Sequence, residues 1–163
     1  MRRLPTRIEA TLMGLSALAL ASQSGFKLAI VNESPSLPKG LYLRLAGTPG
    51  VGDVVALRPP ALARPYLAQL GTPKNVLLLK RVAAVEGDVV CASGRRVSTP
   101  RRGVLLHGHD SQGRQLPAWR GCRSLGPGQV FLLGDSADSF DARYFGPVHR
   151  AELKGRFLGV LTW

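Results

Sequence analysis

Cysteine, histidine and acidic residues are all scarce in this chain. Two cysteines and three histidines occur among 163 residues, and Asp and Glu total 10 against 22 Lys and Arg. Neither Cys91 nor Cys122 has a neighbour at a metal-ligand spacing, so a zinc site built from the pair with His107 and His109 is disfavoured against a disulfide. No metal or other cofactor is required by any motif found. His107, His109 and His149 lie away from strand ends, and Ser36 is not in a Gly-x-Ser-x-Gly turn, which argues against a Ser/His/Asp triad. Aromatic residues make up 6% of the chain. They do not interleave with the scattered basic residues, among them Arg95, Arg96, Arg101, Arg102, Arg120 and Arg123, so nucleic acid is disfavoured as a partner. The net charge of +12 then calls for some other anionic neighbour, and an acidic lipid surface is one.

Long hydrophobic runs are also missing, with one exception. Residues 10–26 carry no charge, and Leu28-Ala29-Ile30-Val31 extend the apolar run beyond Lys27. A helix over 10–31 would be about 33 Å long, enough to cross a bilayer. Arg2, Arg3 and Arg7 precede it, so the N-terminus stays in the cytoplasm and everything after Val31 is exported. A cleavable secretory signal fits the same pattern, with Ala17-Leu18-Ala19 or Ala19-Leu20-Ala21 near its end. Retention as a single span of the inner membrane is favoured, and both readings export the body. The expected division is 1–31 as cytoplasmic tip and anchor (or signal segment) and 32–163 as an exported domain. In an exported chain Cys91 and Cys122 are expected to pair, closing a loop of about 30 residues for roughly 3–4 kcal/mol.

The 19 glycines and 12 prolines are spread along the whole length, which favours short strands and turns, and a mainly β body is expected. Gly40–Leu45 alternates like a strand, and Pro49-Gly50-Val51-Gly52-Asp53 reads as a turn into Val54–Leu57, predicting a hairpin. Ala61 to Leu70 has helical spacing with Leu62, Tyr66, Leu67 and Leu70 on one face. Val76 to Val85 reads as a strand with protein on both faces. Val89–Ala92, Val130–Leu133 and Phe157–Leu161 read as further strands. The Arg-, Gly- and Pro-rich stretch at about 93–128 is expected as a loop-rich insertion stapled to the body by the disulfide.

Within Val76–Val85 the side chains alternate, so Leu78, Lys80 and Val82 share one face. Lys80 is flanked by aliphatic groups there, the desolvating setting that lowers an ammonium's pKa and lets it act as a base. On an edge strand the same lysine would merely discourage aggregation. A serine is a weak nucleophile until a base takes its proton, and Ser36, in Ser34-Pro35-Ser36-Leu37-Pro38, is the candidate. The densest polar cluster, Gly134 to Gly146, holds Asp135, Asp138, Asp141, Ser136, Ser139 and Arg143. A solvated turn accounts for that composition equally well. The functional alternative pairs Asp141 with Arg143 to hold the loop while Ser139 orients the lysine amine. Paired-acid hydrolysis by Asp138 and Asp141 is set aside because three neighbouring acids offer no contrast to separate their pKa values.

Three segments carry a resemblance. Ser34 to Tyr42, Leu79-Lys80-Arg81-Val82 with Glu86-Gly87-Asp88, and Gly134-Asp135-Ser136 through Asp141 to Gly146 resemble, in order, the boxes of the signal peptidase I family. The form is more similar still to its conjugal-transfer TraF branch. The resemblance implies an all-β catalytic fold against the outer face of the cytoplasmic membrane, a nucleophilic Ser36 and a general-base Lys80. It implies an oxyanion hole from the Ser36 N–H and the Ser34 hydroxyl, with Ser139 as the hydroxyl contacting the lysine. The substrate implied is an exported precursor cut after small side chains, in the TraF branch a pilin subunit of conjugation machinery. Only Leu37 separates Ser36 from Pro38, where ordinary signal peptidases have two residues, which argues against a housekeeping role. The Gly134 loop is one residue shorter than usual, which loosens the register of Ser139.

Three other functions compete: a general signal peptidase, a non-catalytic scaffold docking through Arg95, Arg96, Arg101 and Arg102, and a self-cleaving repressor. The last expects a DNA-binding domain where the apolar segment stands.

Overall fold

In the computed structural model, which describes residues 27–163, two antiparallel sheets account for most of the regular structure. Seven strands form the larger one: β1 (Ala29–Asn32), β2 (Gly40–Leu45), β3 (Val54–Leu57), β4 (Leu78–Val85), β9 (Gln129–Leu133), β10 (Val148–His149) and β11 (Leu153–Thr162). Their order is β1-β2-β11-β3-β4-β9-β10. The smaller sheet comprises β5 (Val89–Ser93), β6 (Arg96–Ser98), β7 (Gly103–Leu105) and β8 (Gly121–Ser124), in the order β7-β6-β5-β8. Two short helices complete the fold, α1 (Arg64–Gln69) and α2 (Ala142–Phe145). The body is mainly β, as its turn-rich composition requires.

The expected β2–β3 hairpin does not form. Instead β11 lies between the two, pairing Leu158 with Leu43 on one side and Phe157 with Val54 on the other. Adjacent, complementary strand patterns specify alternation but not partner, and a ten-residue strand from far along the chain wins both edges. Its approach to the start of β2 is so close that a Cβ on Gly40 would stand 2.1 Å from the Leu161 carbonyl oxygen. Leu28–Val31, expected to extend the apolar run, is also reassigned. Ala29–Asn32 is β1, paired with β2 from Ala29↔Leu43 to Asn32↔Gly40. Residues 10–26 lie outside the described residues, and among those described no helix is long and apolar enough to cross a membrane.

The helix at 61–70 is broken in two. A 3-10 turn at Ala61–Ala63 precedes α1, whose Pro65 sits in the first turn where its missing N–H costs nothing. The tighter turn shifts the phase, so Ala63, Tyr66 and Leu67 are buried while Leu62 and Leu70 face solvent.

β4 is covered on both faces, as its sequence requires. Leu79 joins a small core with Leu37, Tyr42, Val54, Ala56 and Phe157. Val82 and Leu78 pack into the larger core with Val55, Leu57 and Phe131–Leu133. Each fully buried side chain of this size stabilises the fold by about 1.5–3 kcal/mol.

The segment at 93–128 is less irregular than its composition implies, and its sheet begins before it, with β5. Cys91 and Cys122 form a disulfide between directly opposite residues of β5 and β8. The bond therefore closes the small sheet on itself rather than stapling it to the body. Attachment comes from elsewhere. The Gly87 N–H donates to the Leu125 carbonyl at 2.9 Å, the Leu125 N–H to that of Asp88 at 2.9 Å, and Arg101 pairs with Asp88 at 2.9 Å.

Candidate active site

Ser36 lies in the short connection between β1 and β2, and the end of β1 holds that connection in shape. The Asn32 side chain is buried and donates to the carbonyls of Ser34 (3.0 Å), Leu37 (3.2 Å) and Pro38 (3.0 Å), while its own oxygen accepts the Ser34 N–H at 3.2 Å. Tyr42 Oη donates to the Pro38 carbonyl at 2.8 Å, and Leu37 anchors the turn in the smaller core. A two-proline turn has few amide donors of its own, so a neutral amide beneath it supplies what the backbone lacks. Sequence reasoning passed over Asn32. The signal was a short polar side chain ending an apolar run just before a Ser-Pro turn.

Within the turn, Ser34 Oγ donates to Ser36 Oγ at 3.0 Å and accepts the Ser36 N–H at 3.3 Å. The two donors expected to form an oxyanion hole are thus engaged within the turn itself.

The opposite wall is the Gly134–Arg143 loop. Asp141 and Arg143 are both fully buried and paired, Nε to Oδ1 at 2.8 Å and Nη2 to Oδ2 at 2.9 Å. Asp141 also caps the first turn of α2 and accepts the Gly134 N–H at 2.8 Å. The remaining guanidinium hydrogens go to the carbonyls of Ser136, Ala137 and Leu105, so the pair knits the loop and ties it to β7. Arg102 adds a second tie from the small sheet, donating to the Gly134 carbonyl at 2.8 Å. Asp135, by contrast, holds Arg81 of β4 in a two-pronged pair at 2.9 and 2.7 Å on the half-exposed rim.

The two walls are joined backbone to backbone, the Asp135 N–H donating to the Ser36 carbonyl at 2.7 Å. Ser139 packs against Gly134 so tightly that a Cβ there would meet Ser139 Oγ at 2.1 Å and the Ser36 carbonyl oxygen at 2.8 Å. Gly134 is therefore the one residue type that lets both loops close.

Lys80 stands between the walls, 3% exposed. Burial lowers the amine from its usual value near 10.5 to about 8, against the raising influence of Asp141, with Arg143 lowering it further and Asp135 raising it. Ser34, Ser36, Leu78, Lys80, Asp138, Ser139 and Phe140 line one cleft of about 330 Å³. At rest no hydrogen bond links Lys80 Nζ to Ser36 Oγ among the described residues, and Ser139 Oγ is buried without a partner. All the expected residues are thus gathered here, Ser34, Ser36, Lys80 and Ser139 on the cleft and Asp141 and Arg143 behind it. His149, contrary to expectation, does stand at a strand end, that of β10, but its ring caps a turn at Ala151, and His107 and His109 line a neighbouring hollow. Among the described residues no group of three or more His, Cys, Asp or Glu is placed to hold a metal.

One expectation is corrected. Asp138 and Asp141 were expected to lack environmental contrast, yet Asp138 is 90% exposed by side chain and Asp141 fully buried. What sets Asp141 apart is its buried ion pair with Arg143, which commits both of its oxygens.

Residues 7–163 match the family model described as signal peptidase, peptidase S26. The chain is 35% identical over 164 residues to a plasmid transfer protein TraF of Escherichia coli, covering 92% of each. It is 33% identical over 178 residues to another Escherichia coli plasmid transfer protein TraF, covering 100% of both. With a conjugal transfer protein TraF of Agrobacterium tumefaciens it shares 36% over 166 residues, 91% of this chain and 90% of that one. Among solved structures, a signal peptidase I from Enterococcus faecalis aligns with a TM-score of 0.41 at 18% identity, over 69% of this chain and 98% of the other.

Proposed function

The chain belongs to the signal peptidase, peptidase S26, family, and on that premise we propose that it is a membrane-anchored serine endopeptidase working through Ser36 and Lys80. The observation that carries the reading is the burial of Lys80, held to about 8 beside the Ser36 cleft. At pH 7 roughly a tenth of such an amine is neutral, against fewer than about one in a thousand for a solvated lysine. Neutral Lys80 takes the Ser36 proton as Oγ attacks the scissile carbonyl, and an acyl-enzyme forms as the Lys80 ammonium gives that proton to the departing amine. The Ser36 N–H and the Ser34 hydroxyl, turned from each other towards the new oxyanion, stabilise the tetrahedral intermediate. Water then releases the acyl group.

The substrate arrives as an extended chain. On its β9 side, the pairing of β4 stops at Arg81↔Leu133, which leaves Leu78–Lys80 paired with β3 alone. That open edge beside the cleft accepts a peptide as an added strand.

The substrate is an exported precursor, and the conjugal-transfer names of the relatives favour a pilin-like subunit of conjugation machinery. The uncharged run at 10–26, read from the sequence as part of a single inner-membrane anchor or a signal segment within 1–31, would leave the catalytic domain on the periplasmic side. β1 starts only three residues past that run, and Val31, Leu43, Leu158, Leu161 and Trp163 expose apolar surface on β1, β2 and the end of β11, consistent with a domain lying on lipid.

The test is processing of a co-expressed pilin precursor from the same operon, followed by mass spectrometry. Ser36→Ala and Lys80→Arg each abolish it, because a guanidinium stays protonated in any protein environment. Cleavage retained by Lys80→Arg would refute the lysine-base mechanism.

A further inference from the structure

Beyond the catalytic cleft, across the ridge formed by Asp138 and Phe140, lies a second hollow of about 470 Å³ that shares those two residues as a common wall. Its sides are aromatic. Phe140 lies parallel to Tyr144 with ring centroids 5.3 Å apart, and Tyr66 tilts against Phe140 at 4.6 Å. His107 lines the same hollow, and its Nε2 is buried with no hydrogen-bond partner among the described residues, 3.9 Å from Asp138 Oδ1.

The carboxylates around the two cavities differ in one respect. Asp135 is neutralised by Arg81, Asp141 by Arg143 and Asp110, on the far side of the hollow, by Arg114 at 2.7 Å. Asp138 has the His107 imidazole as its one side-chain neighbour at ion-pair distance among the described residues, with Arg143 acting on it from farther off, and it projects almost wholly into solvent. In a chain of net charge +12, an acid at the cleft mouth with no arginine of its own makes a local negative site in a positive field. The rings are packed against one another, with Tyr144 2% and Tyr66 8% exposed, so the carboxylate is the group that attracts an ammonium or guanidinium here.

We propose that this hollow is a substrate subsite for a cationic side chain, Lys or Arg, with Asp138 as its specificity-determining residue. The proposal rests on the peptidase reading for its relation to cleavage, but the binding it describes is measurable without turnover. A peptide running along the cleft places one side chain over the Asp138–Phe140 ridge. The carboxylate meets the cationic head, and the ring edges lining the hollow meet its methylene stem.

The experiment uses full-length protein in detergent. Fluorescently labelled peptides with small residues around the scissile site differ at a single position, occupied by Lys, norleucine or Glu and moved stepwise to either side. Anisotropy with the Ser36→Ala protein reads binding, and the native protein reads cleavage. At one position the Lys peptide should bind about five- to tenfold more tightly than its norleucine counterpart. Asp138→Asn should bring that ratio to near one, Asp138→Glu should keep most of it, and Asp138→Lys should turn the preference towards Glu. The Lys preference should also shrink as salt is raised to about 0.5 M. Equal binding of Lys and norleucine at every position, a preference that survives Asp138→Asn, or no binding at all would each overturn the proposal. If the preference holds but the native protein cleaves none of the peptides, the subsite stands and the peptidase reading falls. If cleavage occurs without any Lys preference, the peptidase reading stands and the subsite falls.

Discussion

The two loops that meet at Lys80 are held by opposite means. The Ser36 turn rests on neutral hydrogen bonds from Asn32 and Tyr42, while the Gly134–Arg143 loop is closed around a fully buried ion pair. A fan of neutral bonds weakens one bond at a time. A buried pair does not, because losing either partner strands a charge in a place where it cannot be solvated. The loop that tunes the lysine is therefore all-or-none in its integrity, and the loop that carries the nucleophile is graded.

The sharpest way to break this contrast is Asp141→Asn, which leaves Arg143 buried beside a neutral amide. A loss of about 3–5 kcal/mol is expected, read as a lowered midpoint in thermal denaturation. Replacing both Asp141 and Arg143 with apolar residues should recover much of that, and a double variant no better than the single would argue against stranded charge as the cause. Ser34→Ala tests the other loop through its chemistry. With the fold intact, kcat should fall about 10²- to 10³-fold, the cost of one oxyanion donor, and an unchanged rate would remove Ser34 from the hole.

Asn32→Ala should be milder in stability, about 1–3 kcal/mol for carbonyls and an amide left without their partner, with kcat falling while Lys80 keeps its apparent pKa. A shifted pH profile in that variant would show that the two loops are not independent. The smallest effect is that of pH itself. Cleavage should rise as Lys80 loses its proton, with a midpoint at about 8 and a plateau above. Stability should follow in the same direction. The folded amine releases its proton before the unfolded one does, so the penalty of burying its charge is fully present below about 8 and is relieved as pH climbs towards 10.5. A rate that is flat from pH 6 to 10 would contradict both.

Most of the candidate site was legible in the sequence because it is local chemistry. The alternation around Lys80 placed it among aliphatic side chains, and β4 indeed buries it between two cores. Strands whose apolar runs are bounded by glycine, such as β5 and β9, were legible for the same reason. What failed was partner choice. β11 displaced the expected β2–β3 pairing, since alternation says which face a residue takes but not which strand it meets. Leu28–Val31 looked like the tail of a membrane segment because an apolar run of four suits a lipid span and a strand alike. Asn32 was missed, and Gly134 was named without a role, because their importance lies in how their own loops fold back: onto the carbonyls of Ser34, Leu37 and Pro38 in one case, and Ser139 onto the glycine in the other.

The position of β11 also sets the order in which the enzyme comes into being. On the ribosome, the segments bearing Ser36 and Lys80 emerge long before residues 153–162, the strand that lies between β2 and β3. Until that strand inserts between them, the half-sheet carrying Ser36 and the half-sheet carrying Lys80 share no ladder, so the cleft between the two cannot be set before those residues have been translated.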